Sequence, residues 1–291
     1  MLRSKTIYAL TALCLGGTFA PVNAAIVGPY TTDTNTLHLY HLDETAVNFI
    51  DSGSAATLRD LDVLTSPATS AASLTGFTNA GSFTADTASQ IQQSIDTVQS
   101  EWQDATSGAF TYEAIINPSG ITGIRTILSK DHTTGGPNRR SFIFRLNGTN
   151  LELIRTGPTV QTISIAVPTV GANAIAAGTW FHVAVTYDGV DNTTGNTTLY
   201  WTKMDAANTA ANAIGTANNA VDIGSVGGNT PFTIGNRDDA TTANNSFGGL
   251  IDEVRVSNIA RGSQGMQFVP EPASLSAIAL GGLLLGRRRR I

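Results

Sequence analysis

Short runs of alternating apolar and polar residues are the feature that most constrains the fold of this chain. In residues 110–117 the even positions are Phe, Tyr, Ala and Ile, and the odd positions are Thr, Glu, Ile and Asn. Residues 180–188 alternate in the same way, with Phe181, Val183, Val185 and Tyr187 on one side. Because successive side chains of a β-strand point to opposite faces, these runs predict strands with one face in a core.

Similar runs recur along most of the chain, separated by segments rich in Gly, Asn, Asp and Pro. Many short strands spaced by roughly eight to twelve residues predict an all-β sandwich or barrel. The clearest predicted strands are residues 37–42, 110–117, 126–130, 141–147, 151–156, 159–167, 180–188, 198–203, 232–235 and 249–258.

The segments between these runs predict turns, one helix and one long loop. Gly148-Thr149 and residues 188–195 each separate two strand runs and therefore predict hairpin loops. Residues 94–104 carry Ile95, Val98 and Trp102 at helical spacing, which predicts the only helix of the central region. The Ala/Asn/Thr-rich residues 205–220 predict a long surface loop.

The first 24 residues have the order of a secretory signal peptide. Arg3 and Lys5 precede an apolar run at residues 7–15, and Val22-Asn23-Ala24 follows, so we expect cleavage after Ala24. The alternative is an uncleaved membrane anchor, but the run is far shorter than the ~20 residues of a spanning helix. Cleavage would remove the single cysteine, Cys14, and leave no disulfide.

The last 23 residues combine three unlike elements in order. The apolar residues 273–286 predict a short transmembrane helix, and the basic residues beyond it favour the cytoplasmic side. The helix is preceded by Pro270, Glu271 and Pro272 and followed by Arg287, Arg288, Arg289 and Arg290.

This tail resembles the PEP-CTERM sorting signal of bacterial exported proteins. The resemblance implies an exosortase-type membrane protease as partner, transient anchoring through the C-terminal helix, and a final place at the cell surface, in the extracellular matrix or in the medium. The alternative is a single-pass anchor that is never cut. The predicted organisation is a signal peptide at 1–24, one domain at 25–268 and a sorting signal at 269–291.

The charge of the predicted domain argues against nucleic acid as a partner. Two of the 17 basic residues lie in the signal peptide and four in the tail, whereas only one of the 22 acidic residues lies outside the domain. The domain therefore carries about −10, against −5 for the whole chain. Nucleic-acid binding depends on a surplus of Lys and Arg, so we expect none.

Several of the strand sequences resemble the laminin-G-like domains of the concanavalin A-like lectin/glucanase superfamily. The residues that carry the resemblance are 39–44, 110–114, 127–130, 180–189 and 247–256, and the match spans residues 37–260. It implies a two-sheet antiparallel jelly roll whose first and last strands pair, and a domain that binds glycan or another exported protein. Residues 205–220 depart from the short turn common in the family.

The sequence does not carry the carboxylate pair of the glucanases in this superfamily. Such enzymes need two carboxylates facing each other across the sugar, which on one strand requires even spacing. Asp252 and Glu253 are adjacent and are predicted to face opposite ways, and Glu113 and Glu152 have no acid two residues away. We therefore predict a non-catalytic protein. The alternative is an exported polysaccharide-active hydrolase.

Calcium is the one metal that the resemblance suggests. It implies a structural Ca²⁺ where the first and last strands meet, with Asp252 as the leading ligand and Asp43 or Asp51 contributing from the N-terminal segment. Carboxylate, amide and carbonyl oxygens are the ligands that Ca²⁺ prefers. The alternative is that Asp252 caps a turn or pairs with Arg255.

A polar loop is the second candidate site. Amide, carboxylate and guanidinium groups suit sugar hydroxyls, and loops on a rigid sandwich often carry function. The loop consists of Asn236, Arg237, Asp238 and Asp239, followed by Asn244 and Asn245. The alternative is a solvated loop. We further expect the four histidines to be structural or surface residues and Trp201 to belong to the core.

Overall fold

We describe the fold from a computed structural model of the chain. The described residues are 29–45, 48–63, 69–85, 91–93, 102, 107–131, 140–156, 160–205, 208, 210–219, 230–237, 245–263 and 265–266. The predicted signal peptide, the sorting signal with its helix, and all of the predicted helix 94–104 except Trp102 lie outside them. None of the helices within the described ranges is long and apolar enough to cross a membrane.

The described part of the chain folds as an all-β sandwich. Its strands are β1 (Thr36–Tyr40), β2 (Asn48–Phe49), β3 (Leu61–Val63), β4 (Thr69–Ala72), β5 (Asn79–Phe83), β6 (Ile91–Gln93), β7 (Phe110–Pro118), β8 (Ile124–Asp131), β9 (Arg140–Asn147), β10 (Asn150–Thr156), β11 (Val160–Ala166), β12 (Phe181–Tyr187), β13 (Thr197–Lys203), β14 (Ala213–Ala217), β15 (Thr233–Ile234) and β16 (Gly249–Ser257).

These strands form two antiparallel sheets. Sheet 1 has the order β14-β13-β12-β7-β16-β5-β4, and β1 also pairs with β16. Sheet 2 has the order β11-β10-β9-β8-β15-β6-β3-β2. The predicted pairing of the first and last strands is confirmed, because Leu39 lies opposite Arg255 and Tyr40 opposite Val254.

A single apolar core lies between the sheets and is rich in aromatic rings. Sheet 1 contributes the even-numbered residues of β7 and the odd-numbered residues of β12, as their alternation predicts. Tyr112 stacks on Phe110 at 4.2 Å and on Phe142 of sheet 2 at 4.4 Å. Trp201 is buried against Phe181, so the prediction that it is a core residue is confirmed.

The face of sheet 1 that points away from sheet 2, here called the outer face, is also covered. Tyr30, from the segment before β1, packs with Leu39 and Ile115, and Met266, from the segment after β16, packs with Ala184. Thr111, Glu113 and Ile115 of β7 are therefore buried as well, although two of them are polar or charged. The outer face consequently holds polar and charged groups that the solvent does not reach.

All ten strands predicted from the sequence are present, and both predicted hairpin loops connect adjacent antiparallel strands. The prediction of one long loop at 205–220 is wrong in part, because Ala213–Ala217 forms β14 at the edge of sheet 1. The alternation there is weak since Ala, Gly and Thr give little contrast between the two faces.

Candidate functional site

The predicted metal ligand Asp252 lies at a β-bulge in the middle of β16. Asp252 pairs with Ile115 and Arg255 pairs with Glu113, so two residues of β16 oppose the single residue Ala114. Glu253 has a φ of 51°, in the left-handed region. A bulge of this kind re-aims a side chain and is common next to functional sites.

The bulge overturns one prediction from the sequence. Adjacent Asp252 and Glu253 were expected on opposite faces, but both reach the outer side of sheet 1. Asp252 accepts a hydrogen bond from Ser73 of the β4–β5 loop. Glu253 Oε2 accepts the Tyr30 amide at 2.7 Å, and its Oε1 lies 2.8 Å from His41 Nδ1. Strict alternation fails because the positive φ of Glu253 breaks the period of two.

Asp252 is fully buried and only partly satisfied. Its Oδ1 has no hydrogen-bond partner among the described residues. Burial, together with the negative charges of Glu253 and Asp43, raises the pKa of Asp252 to about 8, against the lowering effects of Ser73 and the Glu253 amide. Burial also raises the pKa of Glu253, although His41 opposes the shift. The fold thus brings carboxyl groups together where their charged forms are poorly solvated.

Of the two predicted N-terminal partners, the structure brings Asp43 to this cluster. Asp43 Oδ1 accepts the Asn79 amide at 2.7 Å, and its charge acts on both Asp252 and Glu253. We call Asp43, Asp252, Glu253 and His41 the carboxylate cluster.

Asp51, the other predicted partner, is engaged elsewhere. Its Oδ2 lies 2.6 Å from His38 Nδ1, and its oxygens accept the amides of Leu39, Gly53 and Arg59. These contacts tie the chain after β1 back to that strand. The hydrogen bond with His38 lowers the pKa of Asp51 against the opposing effect of burial.

The residues at the cluster fit a hard cation in part. Within the described ranges, no three His, Cys, Asp or Glu side chains are placed to ligate one ion. Ca²⁺ also takes hydroxyl-bearing and carbonyl oxygens, and the free Asp252 Oδ1, Asp43 and Ser73 are oxygen donors of this type. A divalent cation there would offset the charge that raises the pKa of Asp252.

An apolar rim borders the carboxylate cluster on the outer face. Ile115 lies between Asp252 on one neighbouring strand and His182 on the other. Trp180, two residues before His182, and Phe77 of the β4–β5 loop pack against the apolar cluster that Ile115 forms with Tyr30 and Leu39. Both aromatic side chains are partly exposed. Trp180, Phe77 and Ser73 were not predicted from the sequence as site residues. The one signal for Trp180 was its place on the polar face of a predicted strand. Ser73 and Phe77 lie in a segment without any periodic pattern.

The predicted sugar-binding loop is placed only in part. Asn236 and Arg237 are buried, and Arg237 pairs with Asp131 of β8. Asn236 Oδ1 accepts the Arg237 amide at 2.8 Å. Asp238 and Asp239 lie outside the described residues, so ligand binding by this loop stays a prediction.

A buried ionic network occupies the outer face next to the cluster. Arg255 Nε donates to Glu113 Oε1 at 2.6 Å, and His182 Nε2 lies 3.0 Å from Glu113 Oε2. Burial alone would raise the pKa of Glu113, but Arg255 and His182 lower it to about 2. Arg255 therefore pairs with Glu113 and not with Asp252, which was the alternative considered for Asp252.

The described histidines have structural partners. His38, His41 and His182 contact Asp51, Glu253 and Glu113 respectively, as expected of structural residues. His132 lies outside the described residues. The residues predicted to direct processing lie outside them too: Ala24, Pro270, Glu271, Pro272, Arg287, Arg288, Arg289 and Arg290.

A known protein family matches much of this chain. The family model described as the concanavalin A-like lectin/glucanases superfamily matches residues 89–265. No curated protein matches the chain by sequence.

Solved structures with the same fold include two botulinum neurotoxin structures and one of a mosquitocidal protein. The botulinum neurotoxin serotype D/C VPI 5993 binding domain superposes with a TM-score of 0.54 at 11% identity, covering 81% of this chain and 51% of that one. A botulinum neurotoxin type C structure, described as showing that cell entry depends on interaction with two ganglioside molecules, gives a TM-score of 0.53 at 9% identity, covering 81% of this chain and 50% of that one. The binding domain of Paraclostridial Mosquitocidal Protein 1 gives 0.53 at 14%, covering 80% and 52%. The chain spans about half the length of each.

Proposed function

The chain belongs to the concanavalin A-like lectin/glucanase superfamily, and we propose that it is an exported, non-catalytic surface or matrix protein whose sandwich binds glycan beside a structural calcium ion. The observation that carries the proposal is the carboxylate cluster, with its free Asp252 oxygen, bordered by the partly exposed Trp180 and Phe77. Aromatic rings and hydrogen-bonding oxygens together suit the two faces of a sugar ring. The ganglioside named for a structure of like fold is a glycolipid, which agrees with this choice.

Calcium would be held by Asp252 and Asp43, with Ser73 and main-chain oxygens completing the shell. When bound, the ion supplies positive charge to a buried carboxylate and ties β16 to the segment after β1 and to the β4–β5 loop. The residues of the chain supply the rest: Asn79 orients Asp43, and Tyr30 and His41 hold Glu253. Asp51 would support the calcium site indirectly, because its hydrogen bonds hold the segment that follows β1.

The proposal that the protein is not an enzyme is supported by what its acidic residues do. Glu113 is held between Arg255 and His182, and Glu152 accepts hydrogen bonds from Arg145, Asn147 and Ser164. Glycosidic cleavage needs one carboxylate and one carboxylic acid facing an open cleft. Both Asp252 and Glu253 are buried instead.

A glycan array probed with and without added Ca²⁺ tests the binding function. We expect Trp180→Ala to lose at least tenfold in signal and the exposed control Val190→Ala to leave it unchanged. Absence of binding by the intact protein in both conditions would refute the lectin proposal. Release of reducing sugar from a polysaccharide panel would instead support the hydrolase alternative.

Melting with and without chelator tests the calcium ion separately. A ligand that binds only the native state raises the melting temperature, so chelation should lower it. Asp252→Asn should remove this difference, whereas Asp62→Asn, an exposed control, should retain it. A melting temperature that neither calcium nor chelator changes would count against the ion. It would not bear on glycan binding.

We also propose that residues 269–291 direct sorting by an exosortase-type protease and anchor the chain transiently. Mass spectrometry of the mature protein from its own host should find an N-terminus at residue 25 and a C-terminus near Pro270. Recovery of the intact tail, Arg287 to Arg290 included, would favour a permanent anchor.

A further inference from the structure

One sheet edge of this molecule lacks the features that keep edges from pairing. Natural sandwiches protect edge strands by making them short, by bulging them, or by adding charge or proline. Four of the five edge strands in the two described sheets are protected: β2 has two residues, β4 has four, and β1 and β14 each pair through a register shift. On its free side β1 also accepts the Ser52 amide at Leu39 O. The fifth, β11, is not protected in these ways.

Strand β11 is long, regular and uncharged. It has seven residues, Val-Gln-Thr-Ile-Ser-Ile-Ala, and pairs with β10 over its full length without a register shift. Val160 is 57% exposed, and the other even-numbered residues, Thr162, Ser164 and Ala166, are exposed too. The even positions form the outward row of side chains, while Ile163 and Ile165 face the core.

The register shows which main-chain groups point away from the sheet. The Val167 amide donates to Thr149 O at 2.9 Å and continues the β10–β11 ladder. Antiparallel pairs alternate between bonded and non-bonded positions, so the odd residues of β11 bond inward to β10. The N–H and C=O groups of Val160, Thr162, Ser164 and Ala166 therefore point away from β10, to the side of β11 on which the described residues form no further strand.

We propose that β11 is a self-association site at which two copies of this chain pair antiparallel and join their second sheets. A two-fold axis through Ile163 places Val160 opposite Ala166 of the other copy and Thr162 opposite its Ser164. All four outward residues then fall in bonded positions, for about eight main-chain hydrogen bonds.

The side chains favour a second copy as the occupant. Thr162 could donate its hydroxyl to Ser164 Oγ of the other copy, because the Ser164 proton is already donated to Glu152. No charge of the strand opposes a like charge across the axis, because the strand has none. The interface is isologous, so one surface is complementary to itself. A single strand pair buries less than the roughly 1,200 Å² of a stable complex, so the dimer should be weak and concentration-dependent.

Sedimentation equilibrium of the full chain over a wide concentration range tests the proposal. We expect a monomer–dimer equilibrium that Thr162→Lys weakens at least tenfold, since it sets two ammonium groups near each other across the axis. Val170→Lys, at a site 81% exposed just beyond the strand, should leave the equilibrium unchanged. Thr162→Pro, which removes an amide that bonds to nothing in the monomer ladder, should have the same effect as Thr162→Lys.

Each variant is first shown to melt like the parent protein. Hydrogen exchange supplies a second readout, in which the Thr162, Ser164 and Ala166 amides gain protection as concentration rises while those of β14 do not. A monomer at every concentration, or a dimer that both Thr162 variants leave intact, would overturn the proposal.

Discussion

Asp252 is a carboxyl group that the fold holds in its neutral form near pH 7. Its pKa is about 8 in the folded chain against an ordinary value of 3.8, mainly because of burial. Between these values the unfolded chain has released the proton and the folded chain has kept it. Stability of the calcium-free protein should therefore fall as pH rises from about 4 to about 8, by up to about 1.4 kcal/mol per pH unit from this group.

Urea unfolding at pH 5 and pH 8 in chelator measures this slope. Asp252→Asn removes the titrating group, so it should flatten the slope and be more stable than the parent at pH 8. Asp62→Asn, at an exposed site, should retain the parent slope. A fall in Asp252→Asn as steep as in the parent, or steeper, would contradict the assigned pKa.

The charge of Glu113 stabilises the folded chain, in contrast to a charge on Asp252. Its carboxylate balances buried Arg255, so Glu113→Gln leaves that guanidinium uncompensated. We expect a loss of about 3–5 kcal/mol in the free energy of unfolding at pH 7, the usual result of breaking a buried pair. Equilibrium unfolding in urea gives the value, with Asp62→Asn again as control. A loss below about 1 kcal/mol would mean that water reaches this network.

At the residue scale, the sequence predicted two members of the carboxylate cluster but not the residues that contact them. Asp252 and Asp43 were named from a family resemblance, and the structure brings them together. Ser73 and Tyr30 were missed because each reaches the site from a segment with no periodicity. The shared face of Asp252 and Glu253 depends on one positive φ, which no pattern of residue types announces.

Among the strands, those whose two faces differ most in polarity were predicted best from the sequence. β7 and β12 combine large apolar residues with polar ones and were predicted nearly to the residue. β2 to β6 lie in residues 48–93 and have two to five residues each, and β4 and β5 are built largely from Ala, Ser, Thr and Asn. Such strands depend on pairing with neighbours more than on their own sequence, so a local pattern does not reveal them.

The β9–β10 hairpin gives a prediction at this scale. Gly148 has a φ of 59° and an open position around its missing Cβ, whereas Gly120 has similar space without a positive φ. Gly148→Ala should cost about 1–2 kcal/mol of stability from backbone strain alone, and Gly120→Ala close to nothing. Thermal or urea unfolding of the pair measures the difference. Equal stability of the two variants would show that the turn relaxes.

Across the whole molecule, the topology was predictable from the order of the strand sequences along the chain rather than from any single strand. The blocks at residues 39–44 and 247–256 implied that the first and last strands pair, and β1 and β16 do. The second layer on the outer face of sheet 1 was not predicted. It is built by segments outside the strands, including Tyr30 and Met266, whose irregular backbone has no sequence period.

That second layer ties the two ends of the domain together through Asp33 and Arg261, 228 positions apart. The guanidinium donates to both oxygens of Asp33 at 2.7 Å, and these hydrogen bonds lower the pKa of Asp33 despite some burial. Because the Asp33 side chain is 46% exposed, solvent screens the pair. We expect a coupling of about 1 kcal/mol or less between Asp33→Asn and Arg261→Gln in a double-mutant cycle at low salt.

Salt should reduce that coupling, since exposed charges are screened within about 10 Å at 0.1 M. Arg261→Gln alone should cost more than Asp33→Asn, because Arg261 is buried and its Nε also donates to Ser257 Oγ at 2.8 Å. Urea unfolding of the four proteins at two salt concentrations measures both effects. Additive single variants at low salt would mean that the ends are held by the Tyr30 and Met266 contacts rather than by this ion pair.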